Sequence, residues 1–345
     1  MSRTAVVVYN LGGPDSLEAV RPFLKNLFSD PMILRMPAPV RAFLSRFIAW
    51  RRAPVAQEIY AQIGGRSPIL PETEKQAAAL QRVLGDAYRV FIAMRYWHPF
   101  AEDTARDVAA WNPDRVVLMP LYPQFSTTTT ESFTRIWKQS AYTAELDVPT
   151  ADICCWPEAA GFIDAMTRAA EAAIDRLPNG VAYRVLYSAH GLPKKFVEAG
   201  DPYAHQVERT AVAVHAKLRD PAADHVICYQ SRVGPMEWLK PYTEDEIHRA
   251  GADGKALVVV PIAFVSEHSE TLVELDIEYS ELAGKVGVPA FIRASTVNDD
   301  PAFIESLAGI VRAARNRGTA AGGEICAGGY ADCPCNDRDS AGEPA

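Results

Sequence analysis

Two stretches of this sequence gather side chains that could move protons and hold cations. In YSAHGLPKKFVEAGDPY, residues 187–203, His190 stands between an apolar run and Gly-Leu-Pro. That context places the imidazole in a loop at the end of a strand. Imidazole titrates near neutrality, so His190 is a candidate proton acceptor. In FVSEHSETLVELDIEY, residues 264–279, Glu270, Glu274 and Glu278 are spaced i, i+4, i+8. A helix would align all three carboxylates on one face, where like charges repel. A solvated acidic face is the plain reading. Against it, Leu272, Val273, Leu275, Ile277 and Tyr279 interleave with the acids, and buried clustered carboxylates need a cation or a proton. His268 adds a nitrogen ligand suited to a first-row metal. Aromatic walls are at hand in Phe264, next to the acids, and in Trp238, read as exposed on a loop in SRVGPMEWL. A base, an acidic track for a divalent cation and aromatic walls together call for a reaction joining a metal to a large apolar molecule.

A third cluster lies near the C-terminus. GGEICAGGYADCPCNDRDS, residues 322–340, holds Cys326, Cys333 and Cys335, three of six cysteines, among residues too small to build a core. The apolar N-terminal run is too short for a signal sequence or a membrane span and predicts a first core strand. A cytoplasmic chain is expected from this. In that compartment disulfides are disfavoured and clustered thiols more often bind metal. Net charge is −8, without a long basic run, which argues against nucleic acid as a partner.

The elements that must position these residues follow from periodicity. Eight runs predict strands: TAVVVYN, YRVFIAMRY, DRVVLMPLY, TADICCW, YRVLYSAHG, HVICYQSR, ALVVVPIAF and PAFIRAST. Most are nearly continuous apolar runs, as expected of parallel strands covered on both faces. Helical patterns alternate with them, which predicts a doubly wound α/β protein. The strand count fits two domains, each with a four-stranded parallel sheet flanked by helices. The expected bounds are 1–145 and 146–318, followed by a cysteine-bearing tail, 319–345. Residues 31–70 break the rhythm with helical periodicity and no strand. Phe43, Phe47, Ile48 and Trp50 beside Arg51 and Arg52 form an amphipathic patch. It reads either as a helical pair packed on the sheet or as a lid for an apolar ligand or a membrane surface. In open α/β sheets ligands bind beyond the carboxyl ends of strands, where NLGGPDS, Arg95–Tyr96, the four threonines 127–130 and His190 all fall.

With these residues in view, the sequence resembles the ferrochelatases, which insert Fe(II) into a porphyrin in haem synthesis. The likeness spans about residues 4–318 and rests on NLGGPDSLEAVRPFLKNLFSD, IGGRSPI, RYWHP, LYPQFSTTTT, YSAHGLPKKFVEAGDPY, YQSRVGPMEWL and PIAFVSEHSETLVELDIEY. It implies two Rossmann-like halves with the site in the cleft between them. It also implies that His190 takes pyrrole protons or binds the metal, that Glu270 is the key carboxylate opposite it, and that His268, Glu274 and Glu278 form the acidic track, on a helix with π-type widening. Leu11, Arg95, Tyr96, Trp238 and Phe264 would line the porphyrin site, and residues 31–70 would form an apolar lip.

Two departures bear on the thiols. Animal members place a cluster cysteine within PQ-aromatic-S-x-x-T-T, where this chain has Thr127; the tail spacing here is C-x6-C-x-C. Some bacterial members hold a [2Fe–2S] cluster with that arrangement and one internal thiolate. The resemblance therefore implies Cys326, Cys333, Cys335 and either Cys154 or Cys155 as ligands, with Cys228 a small buried hydrophobe. The implied reaction is formation of protohaem from Fe(II) and protoporphyrin IX. Coproporphyrin III as substrate, or a non-catalytic porphyrin- or haem-binding Fe–S protein, are the alternatives. Peripheral contact with the inner membrane is compatible with the lip, and the oligomeric state is not legible.

Overall fold

A computed structural model describes residues 3–314, 319–320, 326 and 329–334. The chain divides into two compact units. One comprises Met1–Cys154 and Leu307–Thr319, the other Cys155–Ser306 with the described residues from Ala320 onward.

The first unit is built on β1 (Thr4–Asn10), β2 (Tyr88–Met94), β3 (Arg115–Pro120) and β4 (Thr150–Cys155), in the order β2-β1-β3-β4. The second is built on β5 (Tyr183–His190), β6 (Asp224–Gln230), β7 (Ala256–Pro261) and β8 (Phe291–Arg293), in the order β6-β5-β7-β8. Pairings within each set are parallel. A short β9 (Thr319–Ala320) adds a fifth strand to the first sheet beside β4. Although no sequence repeat links the halves, each thus has its first strand between its second and third. The strand order reverses at that point, which opens a crevice at the carboxyl ends of the first and third strands.

Burial explains why apolar runs rather than alternating ones form these strands. All seven residues of β1 and all six of β7 are buried, so both faces of each strand need apolar side chains. In the first unit Tyr9 stacks on Phe133, centroids 3.9 Å apart, over a core that includes Val7, Leu118 and Trp137. In the second, Leu186, Leu257 and Val259 pack against Ile247 and Leu275. That core anchors the segment carrying the acidic run.

Residues 38–61 form one 24-residue helix, Ala38–Ala61, with Pro54 inside it, rather than a helical pair. It buries Ser45, Ala49, Ala53 and Tyr60 and leaves Phe43, Phe47 and Trp50 exposed. Apart from Tyr60 near its end, small residues face the fold and large apolar ones face away, the reverse of an ordinary surface helix. Among the described residues no helix is long and apolar enough to cross a membrane.

Candidate active site

His190 ends β5, and Phe264, His268 and Glu270 lie on the segment that follows β7. The two strands are neighbours in the sheet, so the strand order itself brings the two stretches together at the crevice. His190 Nδ1 and Glu270 Oε2 are 2.9 Å apart. Burial disfavours the imidazolium, yet the Glu270 carboxylate in contact and Glu274 nearby outweigh it and raise the His190 pKa. Burial likewise works against the Glu270 carboxylate, but His190 and then His268 pull it down to about 2. An ionised Glu270 can only accept, so Nδ1–H is the donor. The other ring nitrogen, Nε2, then carries the free lone pair of a neutral His190.

The acidic run forms a π-helix, Glu270–Tyr279. Its widened turn agrees with the expectation drawn from the family resemblance, and such widening often marks functional sites. His268 caps it: Nδ1 accepts from the backbone N–H of Glu270 and Thr271 at 3.1 and 3.2 Å. Burial, reinforced by His190, outweighs the nearby carboxylates and lowers the His268 pKa. The ring is thus held neutral, with Nδ1 occupied as an acceptor and the ring proton on Nε2. Phe264 packs edge-on against it, centroids 4.4 Å apart.

Glu274 is held by four donors. Gln230 Nε2 and Tyr279 OH donate at 3.0 Å, Ser231 N at 2.8 Å, and Ser231 Oγ also donates. Ser231 meets the carboxylate with both groups because its φ is +64°, a conformation costing a non-glycine residue about 1 kcal/mol. Burial and the Glu270 charge still raise the Glu274 pKa, against the pull of Ser231. Glu278 is exposed, and the structure does not bring it into contact with the other two carboxylates. Glu267 and Asp276 turn away from this group. Arg293 of β8 binds Asp276 through two hydrogen bonds of 2.6 and 2.7 Å and Glu267 at 3.0 Å.

Trp238 is 9% exposed, not exposed on a loop as expected. It lies against Gly191, beside His190, and its Nε1 donates to Val233 O at 3.2 Å. A Cβ on Gly191 would lie 2.8 Å from Gln230 O and 3.1 Å from the Trp238 ring, so only glycine admits this approach.

The remaining predicted residues are in the first unit. Leu11 follows β1 and packs with Tyr96 in one apolar cluster. Arg95 and Tyr96 both bind Asp30 Oδ2, at 2.8 and 2.6 Å, and Ser132 Oγ donates to the same oxygen. Asp30 is 1% exposed, so its charge is balanced by the Arg95 guanidinium and two hydroxyls. Asp30 and Arg95 also line an open cleft of about 420 Å³ with Asn26, Ser29, Phe100 and Glu102. Ser126 Oγ accepts from Thr128 N at 3.2 Å to cap the threonine run.

Cys154 and Cys155 end β4, and both are buried. Cys326 and Cys333 are buried in one small cluster with Tyr330, and Gln206 Nε2 donates to Cys326 Sγ at 3.1 Å. Cys335 lies outside the described residues. Among the described residues no group of three or more His, Cys, Asp or Glu is gathered for a metal. Cys228 accepts from Thr243 Oγ1 at 3.3 Å, and burial pushes its thiol up to about 12.

Sequence reasoning missed Ser231, Tyr279 and Arg293.

Comparison with known proteins gives a coherent result. The ferrochelatase family model matches residues 3–315. A ferrochelatase of Caulobacter vibrioides is 48% identical, covering 98% of this chain and 99% of its own. One of Phenylobacterium zucineum is 49% identical, covering 98% and 100%, and one of Rickettsia bellii is 45% identical, covering 96% and 95%. Among solved structures, SirB from Bacillus subtilis with Fe3+ superposes with a TM-score of 0.54 at 11% identity, covering 90% of this chain and 95% of that one. At that identity the likeness speaks to the fold alone.

Proposed function

The chain belongs to the ferrochelatase family, enzymes that insert metal into a porphyrin, and from that premise we propose that it forms protohaem from Fe(II) and protoporphyrin IX with release of two protons. The observation that carries the assignment of roles is the His190–Glu270 contact of 2.9 Å at the β5–β7 crevice. A metal cannot enter the macrocycle until its two N–H protons leave. His190 Nε2 accepts them, and the ionised Glu270 stabilises the imidazolium that forms. Ring distortion draws on binding energy from the porphyrin faces, with Leu11, Arg95, Tyr96, Trp238 and Phe264 as its lining. Glu270, Glu274 and Glu278 receive the iron as it sheds water, and His268 joins them only by giving up its Nε2 proton. Glu274, raised towards its protonated form, is the member best suited to pass a proton onward.

The test is anaerobic Fe(II) with protoporphyrin IX, followed by haem absorbance. Wild type should form haem, and His190→Ala and Glu270→Gln should lose nearly all activity. Full activity in both variants would overturn the roles. Rates on coproporphyrin III run in parallel decide the substrate.

For the thiols, a [2Fe–2S] cluster held by Cys326, Cys333, Cys335 and either Cys154 or Cys155 is the reading we favour. Its support is the shared burial of Cys326 and Cys333 and the N–H donor aimed at Cys326 Sγ. N–H donation stabilises thiolate sulfur, and four thiolates suit such a cluster. When bound it would supply a covalent clamp on the tail, outside a reaction that involves no redox change. Cys333→Ser should abolish the visible Fe–S absorption. The apolar face of Ala38–Ala61, with Phe43, Phe47 and Trp50 exposed beside arginines, supports peripheral contact with an anionic membrane.

A further inference from the structure

Between His190 and the cysteine-bearing tail lies one short segment, Gly200–Gln206, which makes specific contacts on both sides. On the tail side, Gly200 O accepts from Asp332 N at 3.2 Å. Its φ is +110°, and a Cβ there would lie 2.7 Å from Ala331 N and 2.9 Å from Ala331 Cβ. His205 stacks on Tyr330, centroids 5.3 Å apart. Gln206, fully buried, donates to Cys326 Sγ at 3.1 Å. On the other side, Tyr203 OH donates to the backbone carbonyl of His190 at 2.9 Å. Tyr203 is itself fixed, since its N–H donates to the buried Asp201 Oδ1 at 3.0 Å where the helix Tyr203–His215 begins.

Tyr203 and Gln206 are three residues apart, one turn of that helix, and a helix turn is stiff. A displacement of the tail therefore reaches the tyrosine hydroxyl without an intervening loop. The His190 carbonyl is at the end of β5, where the strand gives way to Gly191. A hydrogen bond there sets the plane of the peptide from which the imidazole projects.

We propose that Gly200–Gln206 couples the tail thiols to the proton acceptor: Gly200 and Gln206 seat the tail, and Tyr203, through its hydroxyl on the His190 carbonyl, is a positioning residue for that histidine. The tail thus acts on the site by orienting His190, not by touching substrate. The coupling rests on the reading of His190 given above only for its effect on rate.

The experiment uses the full chain and three readouts: reaction of native thiols with Ellman's reagent, the carbonyl 13C shift of His190, and steady-state haem formation. Gly200→Ala should unseat the tail, speed modification of Cys326 and Cys333 by about tenfold through local opening, and move the His190 carbonyl resonance. Gln206→Leu, which keeps the volume but removes the donor to sulfur, should do the same to a smaller degree and serves if Gly200→Ala fails to fold. Tyr203→Phe should leave thiol reactivity at the wild-type value, move the His190 carbonyl resonance, and lower kcat with little change in porphyrin KM. Adding Gly200→Ala to Tyr203→Phe should then expose the thiols with no further change at His190. Thiols freed by Gly200→Ala or Gln206→Leu with an unmoved His190 resonance would overturn the coupling. If wild type forms no haem, the metal-insertion reading falls, while the thiol and carbonyl readouts still decide the coupling.

Discussion

Replacing Glu270 by Gln removes a charge and leaves the shape, so its effect on pH dependence follows from the electrostatics of one pair. In the native protein burial lowers the His190 pKa and the two carboxylates, Glu270 first, raise it beyond that loss. A proton acceptor must be neutral, so the acid limb of the rate profile is displaced upward from the ordinary imidazole value, about 6.5. At the observed 2.9 Å, a charge pair is worth about 1.4 kcal/mol in water and about four times that at an effective dielectric of 20. The His190 side chain is 42% exposed and that of Glu270 31%, which selects the lower figure, about one pH unit. In Glu270→Gln, burial acts with only Glu274 to oppose it. The acid limb of the residual activity should therefore move down by about one unit. The assay is kcat/KM for haem formation from pH 5 to 9, with Co(II) in place of Fe(II) as an air-stable check. An acid limb that stays in place, or moves up, would refute the account of the pair.

The same pair governs stability. His190, raised, stabilises below its unfolded pKa and loses that contribution as pH rises through its folded value; Glu270, depressed to about 2, stabilises above its unfolded value and loses it as pH falls towards 2. The Tm gap between wild type and Glu270→Gln should be widest between the ordinary carboxylate and imidazole values of 4.5 and 6.5 and close on either side. Gly191→Ala should push the Trp238 ring or the Gln230 carbonyl away, destabilising by about 1–3 kcal/mol in urea titration and lowering kcat through the adjacent histidine. Asp30→Ala should cost about 3–5 kcal/mol, because it leaves the Arg95 guanidinium without its buried partner; Asp30→Asn, which can still accept from the hydroxyls, should cost less. Ser231→Ala should lose about 1–2 kcal/mol by removing one donor to the Glu274 carboxylate, with the backbone N–H still in place.

How much of this was legible depends on whether the physical cause is local. All eight expected strands are present, and β1 matches TAVVVYN residue for residue, because a strand buried on both faces must be apolar throughout. The doubly wound order could be expected from β-α alternation, and from it the placing of His190 at a crevice. By contrast, β9 is two residues long and has no run to betray it. The length of Ala38–Ala61 was hidden because its large apolar residues face outward, so periodicity gave no inward stripe to follow. Trp238 was misjudged for the opposite reason: its burial depends on Gly191, which is distant in sequence and near only once β5 and the loop after β6 meet.

The acidic run illustrates the deeper limit. In sequence its five carboxylates look alike, a line of negative charge calling for a cation. The fold instead gives them different surroundings. Arg293, on a strand beyond the run, binds Glu267 and Asp276. Ser231, Gln230 and Tyr279 supply neutral donors to Glu274, while His190 pairs with Glu270 and Glu278 stays exposed. Two carboxylates are thus cancelled by a guanidinium and a third is inclined towards protonation, which leaves Glu270 as the one firmly ionised group against the histidine. A carboxylate at full charge beside an imidazole of raised pKa is what accepting a proton from a buried ring requires. Had all the acids remained charged and unpaired, the imidazolium would be stabilised still further. Partition of the acids therefore limits how far the imidazolium is favoured, and it depends on Arg293 and Ser231, residues that no spacing within the run could have named.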